Sequence, residues 1–246
     1  MDKTIKVGAV SYLNTKPLVY GFKHGHKVPN MELIEDYPAK VAVMLLNDEI
    51  DVGLVPVAVI PKLKESYIIT DYCIGAERPV ASVCIFSDVP IDNIKKILLD
   101  YQSRTSVALA RVLLKHHWKI SPEVEDAKED FRDHIKGTTA GVVIGDRAFE
   151  QRQQSPYIYD LAEAWIEMTG LPFVFAAWIA NKRLPEDFVA AFNEGNKTGL
   201  ENIENVIAEN PYDKYDLKKY FTENISYNLT ENKKKGLQRF LQLLPD

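Results

Sequence analysis

A chain of 246 residues with 46% hydrophobic and 26% charged side chains can bury about 70–75% of its unfolded surface, enough for one large domain or two modest lobes without disulfide or metal staples. Thirty Lys and Arg against 35 Asp and Glu give a net charge of −5, which offers no general attraction to nucleic acid or to an anionic membrane. No run of 18 apolar residues occurs, so no helical membrane span is expected. Cys73 and Cys84 form no CxxC pair and read as free, buried thiols. The apolar portion of MDKTIKVGAVSY is too short for a leader core, and the expected location is therefore cytoplasmic.

Residues 6–12 (KVGAVSY) form a β-prone run that stops at Asn14, Thr15 and Lys16. Asn14 or Thr15 can cap a helix that holds Pro17 in its first turn. A second strand is expected over 33–37, a helix from Pro38 with an apolar stripe through Val41 and Leu45, and a third strand over 51–55 ended by Pro56. Three short extended runs follow at 67–70, 73–76 and 80–87. A second unit of the same grammar then begins, with helices over 91–98 and 105–118, strands over 124–127 and 141–144, and a short helix after Gly145 and Asp146. Residues 173–180 (FVFAAWIA) are apolar without a period, as suits a strand covered on both faces. Helices from Pro185 to Ile207 and from Lys233 to Leu244 complete the chain, with Lys233, Lys234 and Lys235 expected on a solvated face. Two α/β units joined by an extended stretch predict two lobes and a hinge.

Open α/β lobes bind ligands beyond the C-terminal ends of their strands. That rule selects Ser11 to Lys16, Ser103 to Ser106, and Gly145 with Asp146. The segment DYQSRTS at 100–106 is the strongest of the three, because Tyr101, Gln102, Ser103, Thr105 and Ser106 gather at a helix start whose free N–H groups and dipole favour an anion. Capping alone accounts for one of those hydroxyls, and Arg104 is equally at home on the surface. Asp146 can cap the helix that follows it; Glu163 and Trp165 can support a pocket wall. A P-loop, GxGxxG, HExxH and GxSxG are all absent, and the five histidines have no ligand spacing, so neither metal nor organic cofactor is expected.

Six blocks in order carry a resemblance: SYLNTKPLVYG at 11–21, DVGLVPV at 51–57, VASVCIFS at 80–87, SRTSVALARVLL at 103–114, VVIGDRA at 142–148 and AEAWIEMTGLPFVFAAW at 162–178. Together they resemble the chorismate dehydratase family of the futalosine route to menaquinone. The resemblance implies an α/β, two-lobed type II periplasmic-binding-protein-like fold with a cleft between the lobes. Lobe one would be 1–85 with 178–246, and lobe two 86–177. It also implies an intracellular carbon–oxygen lyase that converts chorismate to 3-[(1-carboxyvinyl)oxy]benzoate and water without metal or cofactor, with no nucleic-acid or membrane partner.

Carried over by position, Asn14 and Ser82 match polar groups around the substrate ring, and Thr105 and Ser106, with Ser103 and Arg104, match the anion-binding helix start. Gly145 and Asp146 match a cleft-facing GD, Ser11 opens the first loop, and Thr169 and Gly170 of TGLPF match a cleft wall. DYQS departs from the small or acidic residue common near Tyr101 or Gln102. The proton acceptor is either a substrate carboxylate or Asp146, since the Asn14 amide is a poor base. Two other readings share the lobes: the 1,4-dihydroxy-6-naphthoate-forming enzyme of the same pathway, whose serine- and proline-rich N-terminal motif is missing at SYLNTKP, and a receptor for a small carboxylate.

Overall fold

The computed structural model describes residues 4–244, so the outer limits at 1 and 246 of the expected first lobe lie outside the described residues. The first sheet begins as the alternation of strand and helix predicts. Strands β1 (Ile5–Val10), β2 (Met31–Asp36) and β3 (Val52–Pro56) are parallel, with β1 between the other two. Helices α1 (Lys16–Lys23) and α2 (Pro38–Leu46) make the crossovers, each with proline in its first turn, where the missing N–H leaves no bond unmade. Neither Asn14 nor Thr15 caps α1 with its side chain. Strand β4 (Tyr67–Ala76) is continuous where two short runs were expected, because Thr70 Oγ1 bonds both Tyr72 N and Tyr72 O and carries the strand across the polar middle.

The second sheet takes β5 (Val83–Ser87), β6 (Lys96–Leu99), β7 (Glu123–Asp126), β8 (Thr139–Ile144) and β9 (Tyr157–Asp160) in the order β7-β6-β8-β5-β9. The helix expected over 91–98 does not form. Ile91–Asn93 makes one 3-10 turn, and KILL becomes β6, parallel to both β7 and β8. Ile91, Ile94, Ile97 and Leu98 have helical spacing, but burial of residues 97–99 between two strands overrides it. Helix α3 (Thr105–Leu113) widens into a π-turn over Leu114–Trp118, and α4 (Asp146–Gln151) follows β8 as expected. Strand β9 and helix α5 (Leu161–Thr169) had no counterpart in the sequence reading.

The chain returns to the first sheet through β10 (Phe173–Ala180), inserted antiparallel between β3 and β4. All of its residues but Ala176 are buried, in keeping with its unbroken apolar composition. Helix α6 (Glu186–Leu200) then lies on α1 at backbone contact: a Cβ on Gly199 would stand 1.8 Å from Pro17 O. After α7 (Ile203–Glu209) and α8 (Leu217–Lys219), strand β11 (Ser226–Asn228) edges β4, and α9 (Glu231–Leu243) packs on β10. Trp165 of α5 meets Phe173 of β10 and Phe240 of α9 edge-on at centroid distances of 5.3 and 6.1 Å, which seals the join of the three.

The expectation of a solvated Lys233 is corrected. Its side chain is fully buried, and Nζ donates to Ser226 O, Ser226 Oγ and Asn228 O at 2.6–2.7 Å. Lys234 and Lys235 are exposed. Both cysteines are free and buried. The chain changes sheet between Ala76 and Val83 and again between Asp160 and Phe173. We propose these crossings as the lobe boundaries, a few residues ahead of those expected at 85 and 177.

Candidate active site

A cavity with about 540 Å³ of atom-free space, part of it continuous with solvent, lies between the two sheets. The ends of β1, β3 and β8 reach it through Val10, Pro56 and Ile144; Ile74, Phe175 and Ala176 form an apolar wall, and the start of α3 faces them. This is the crevice beyond the strand ends that an open α/β arrangement offers to a ligand. Its polar groups are Tyr12, Asn14, Ser82, Ser103, Thr105 and Ser106. Among the described residues, no carboxylate, ammonium or guanidinium lines it.

Ser82 sits on a strained turn. Ala81 has φ of 65°, a conformation unfavourable for a side chain with a Cβ. Asp160 holds it there: its carboxylate accepts from Ala81 N at 2.7 Å and also caps α5 through Ala162 N and Glu163 N. Burial raises Asp160 from the ordinary carboxylate range, and those backbone bonds pull it back. Ser82 O accepts from Gly145 N at 2.8 Å, which ties the crossing to the end of β8. The Ser82 hydroxyl accepts a hydrogen bond from Tyr220 at 2.7 Å.

Asn14 lies in the 3-10 turn Leu13–Thr15, and its carbonyl is fixed by the Tyr227 hydroxyl at 2.9 Å. Thr105 is buried, and its Oγ1 accepts from Ala58 N of the facing lobe at 3.1 Å. A hydroxyl occupied as an acceptor keeps its own proton to donate. Ser103 Oγ caps α3 by accepting from Ser106 N at 3.0 Å, the capping role that one of these hydroxyls was expected to have.

Gly145 has φ of 64° and ψ of −150°, a region essentially reserved for glycine. A Cβ there would also stand 3.1 Å from the Tyr12 ring, which lies across it. The Tyr12 hydroxyl donates to Gln102 Oε1 and so bridges the lobes. Asp146 does not line the cavity. Its carboxylate faces Leu13 N at 3.3 and 3.4 Å, a further tie across the cleft, and burial pushes it up to about 6. Behind both loops, Arg147 Nη2 contacts the two carboxylate oxygens of Asp100 at 2.7 and 2.8 Å, and Asp100 also accepts from Gln102 N and Ile144 N. That one buried carboxylate holds the DYQS loop to the end of β8.

The structure thus brings Asn14, Ser82, Ser103, Thr105, Ser106 and Gly145 to one cavity, with Asp146 behind it. Ser11 is exposed, and neither it nor Arg104 lines the space. Thr169 and Gly170 require correction: they end α5, where Thr169 Oγ1 donates to Trp165 O and Gly170 takes φ of 70°. The wall expected of them is supplied by Phe175 and Ala176, further along the same segment. Tyr12, Asp100, Arg147, Tyr220 and Tyr227 were not singled out. Tyr12 and Asp100 lie inside the selected segments 11–16 and 100–106 but were given no role of their own, whereas the two C-terminal tyrosines reach the site only through tertiary packing.

Fold and site together define an α/β, two-lobed protein of the periplasmic-binding-protein type with a ligand cleft between its lobes. Its solved neighbours include protein AF1704 from Archaeoglobus fulgidus (TM-score 0.78, 17% identity, 98% of this chain and 96% of that one). An ABC transporter from Parabacteroides distasonis also matches (TM-score 0.67, 15% identity, 98% and 92%), as does the periplasmic aliphatic sulphonate binding protein SsuA from Escherichia coli (TM-score 0.55, 12% identity, 100% and 90%). Within that class the chain belongs to the menaquinone biosynthesis family, whose model matches residues 5–246. It is similar to the chorismate dehydratases of Thermus thermophilus (26% identity, 97% of this chain and 94% of that protein) and Campylobacter jejuni (29% identity, 96% and 95%).

The expected cytoplasmic location is corrected by these neighbours. They include periplasmic and transporter substrate-binding proteins, so the fold gives the cytoplasmic expectation no support. Among the described residues no helix is long and apolar enough to cross a membrane, and no group of His, Cys, Asp and Glu could hold a metal ion.

Proposed function

We propose that the protein is a chorismate dehydratase, a hydro-lyase that removes water from chorismate to give 3-[(1-carboxyvinyl)oxy]benzoate. The observation that carries this reading is a cavity with an apolar wall facing a helix start, its polar groups all neutral donors and acceptors. A cyclohexadiene ring suits the wall of Ile74, Phe175 and Ala176. A carboxylate suits the positive end of α3 with the hydroxyls of Thr105 and Ser106. The family membership and the two dehydratase relatives support the same substrate.

The elimination takes a proton from ring C3 and hydroxide from C4, leaving an aromatic ring, so the substrate itself supplies the driving force. The proton goes to a carboxylate of the substrate and then joins the departing hydroxide as water. A carboxylate held by neutral donors keeps basicity that an ion pair would remove. Asp146 is less suited to the task, because its carboxylate is turned to Leu13 N outside the lining. Asn14 and Ser82 face the cavity and can orient the C4 oxygen by directed hydrogen bonds.

Thr105→Val tests the helix start. It keeps the branched shape and removes the hydroxyl, so kcat/KM for chorismate should fall roughly 10- to 150-fold. A lower denaturant midpoint with unchanged kcat/KM would take this helix start out of the site. Tight binding of unaltered chorismate by the wild type would make the protein a receptor.

A further inference from the structure

We infer that Tyr220 is a positioning residue for the reaction, the start of a directed hydrogen-bond chain that aims the Ser82 hydroxyl proton into the cavity. The inference rests on the dehydratase reading, and it adds a residue from the C-terminal segment, 138 positions away from Ser82 in sequence. Tyr220 is fully buried. Its ring is clamped edge-on by Phe149 at 4.9 Å and by Tyr215 at 6.1 Å, so its hydroxyl has one place to point. That place is Ser82 Oγ at 2.7 Å.

A phenol is a stronger hydrogen-bond acid than an alcohol, so in this pair the phenol donates and the serine accepts. The Ser82 proton must then find another acceptor, and Ser82 lines the cavity where the C4 oxygen departs. The chain therefore runs from Tyr220 to Ser82 and on to the leaving oxygen. Tyr220 gives up no proton, since burial raises its hydroxyl far above its ordinary value. The proton that completes water is the one taken from C3, and the chain contributes by polarising Ser82 towards developing negative charge.

The test is a double-mutant cycle of Tyr220→Phe and Ser82→Ala, read on kcat and KM for chorismate, on product affinity by calorimetry, and on the denaturant midpoint. Tyr220→Phe should lower kcat roughly 10- to 100-fold with KM changed by less than about threefold, and should have almost no further effect on turnover once Ser82 is alanine. Equal losses in both backgrounds, or a lower midpoint with wild-type kcat, would overturn the inference and leave the dehydratase reading intact. If the wild type binds chorismate without converting it, the dehydratase reading fails instead. The same cycle read on chorismate affinity then decides whether Tyr220 acts through Ser82: coupled losses uphold the pairing, and independent losses reject it.

Discussion

Asp146 shows how a residue can be found in the sequence while its surroundings stay out of sight. Its position after GVVI marked it as cleft-facing, and the structure turns its carboxylate to Leu13 N across the lobes. Burial lifts it from 3.8 to about 6, so the folded chain binds its proton more tightly than the unfolded chain does. Its contribution to stability is therefore fully present below about pH 4 and is lost as the pH rises through about 6. Asp146→Asn keeps an acceptor for Leu13 N without the charge. The variant should match the wild type near pH 4, exceed it in denaturant midpoint above pH 6, and retain most of kcat. A loss of turnover comparable to that of Ser82→Ala would make Asp146 the base. Ser103, Thr105 and Ser106 were legible as a cluster at a helix start, where a hydroxyl either caps the helix, as Ser103 does, or is left to face a ligand. Tyr220 was not, because nothing local distinguishes it from any other core tyrosine.

Among the elements, those with a strong local signal formed as expected. Residues 173–180 became β10 because eight apolar residues in a row are stable only where both faces are covered. Pro17 and Pro38 opened α1 and α2. The failures share a cause: β6 has a helical apolar spacing that is overruled by pairing with β7 and β8, and β11 is three residues held by tertiary partners. Lys233 belongs to that second case. It anchors α9 to β11 by filling three acceptors, and a charge run read without its neighbours gives no hint of it. Lys233→Met keeps most of the buried stem and leaves those acceptors unmet, at roughly 1–3 kcal/mol for each one not reached by water. Chemical denaturation should show the loss, and Lys234→Met should leave the midpoint within about 0.5 kcal/mol of the wild type. Equal midpoints for both variants would return Lys233 to the solvent face.

At the scale of the molecule, polar contacts that join the lobes include Leu13 with Asp146, Ala58 with Thr105, Tyr12 with Gln102, and the Tyr212 hydroxyl with Asp146 O. The first three join loops of the two lobes beside the cavity. Under the proposed reading the ligand, chorismate, is a dianion that local donors must hold against the field of a protein of net charge −5, which predicts binding that improves as salt screens that field. Two lobes and a hinge were legible from the alternation of α/β units around residues 67–87. The C-terminal tyrosines that hold Ser82 and Asn14 were not, since their contribution exists only after β10 has returned the chain to the first sheet. The central claim is tested most directly by incubating the purified protein with chorismate in the presence of EDTA and following the product by mass spectrometry. The account predicts an aromatic product one water lighter than chorismate that retains the enolpyruvyl ether; chorismate recovered unchanged, or a product that has lost the ether side chain, would contradict it.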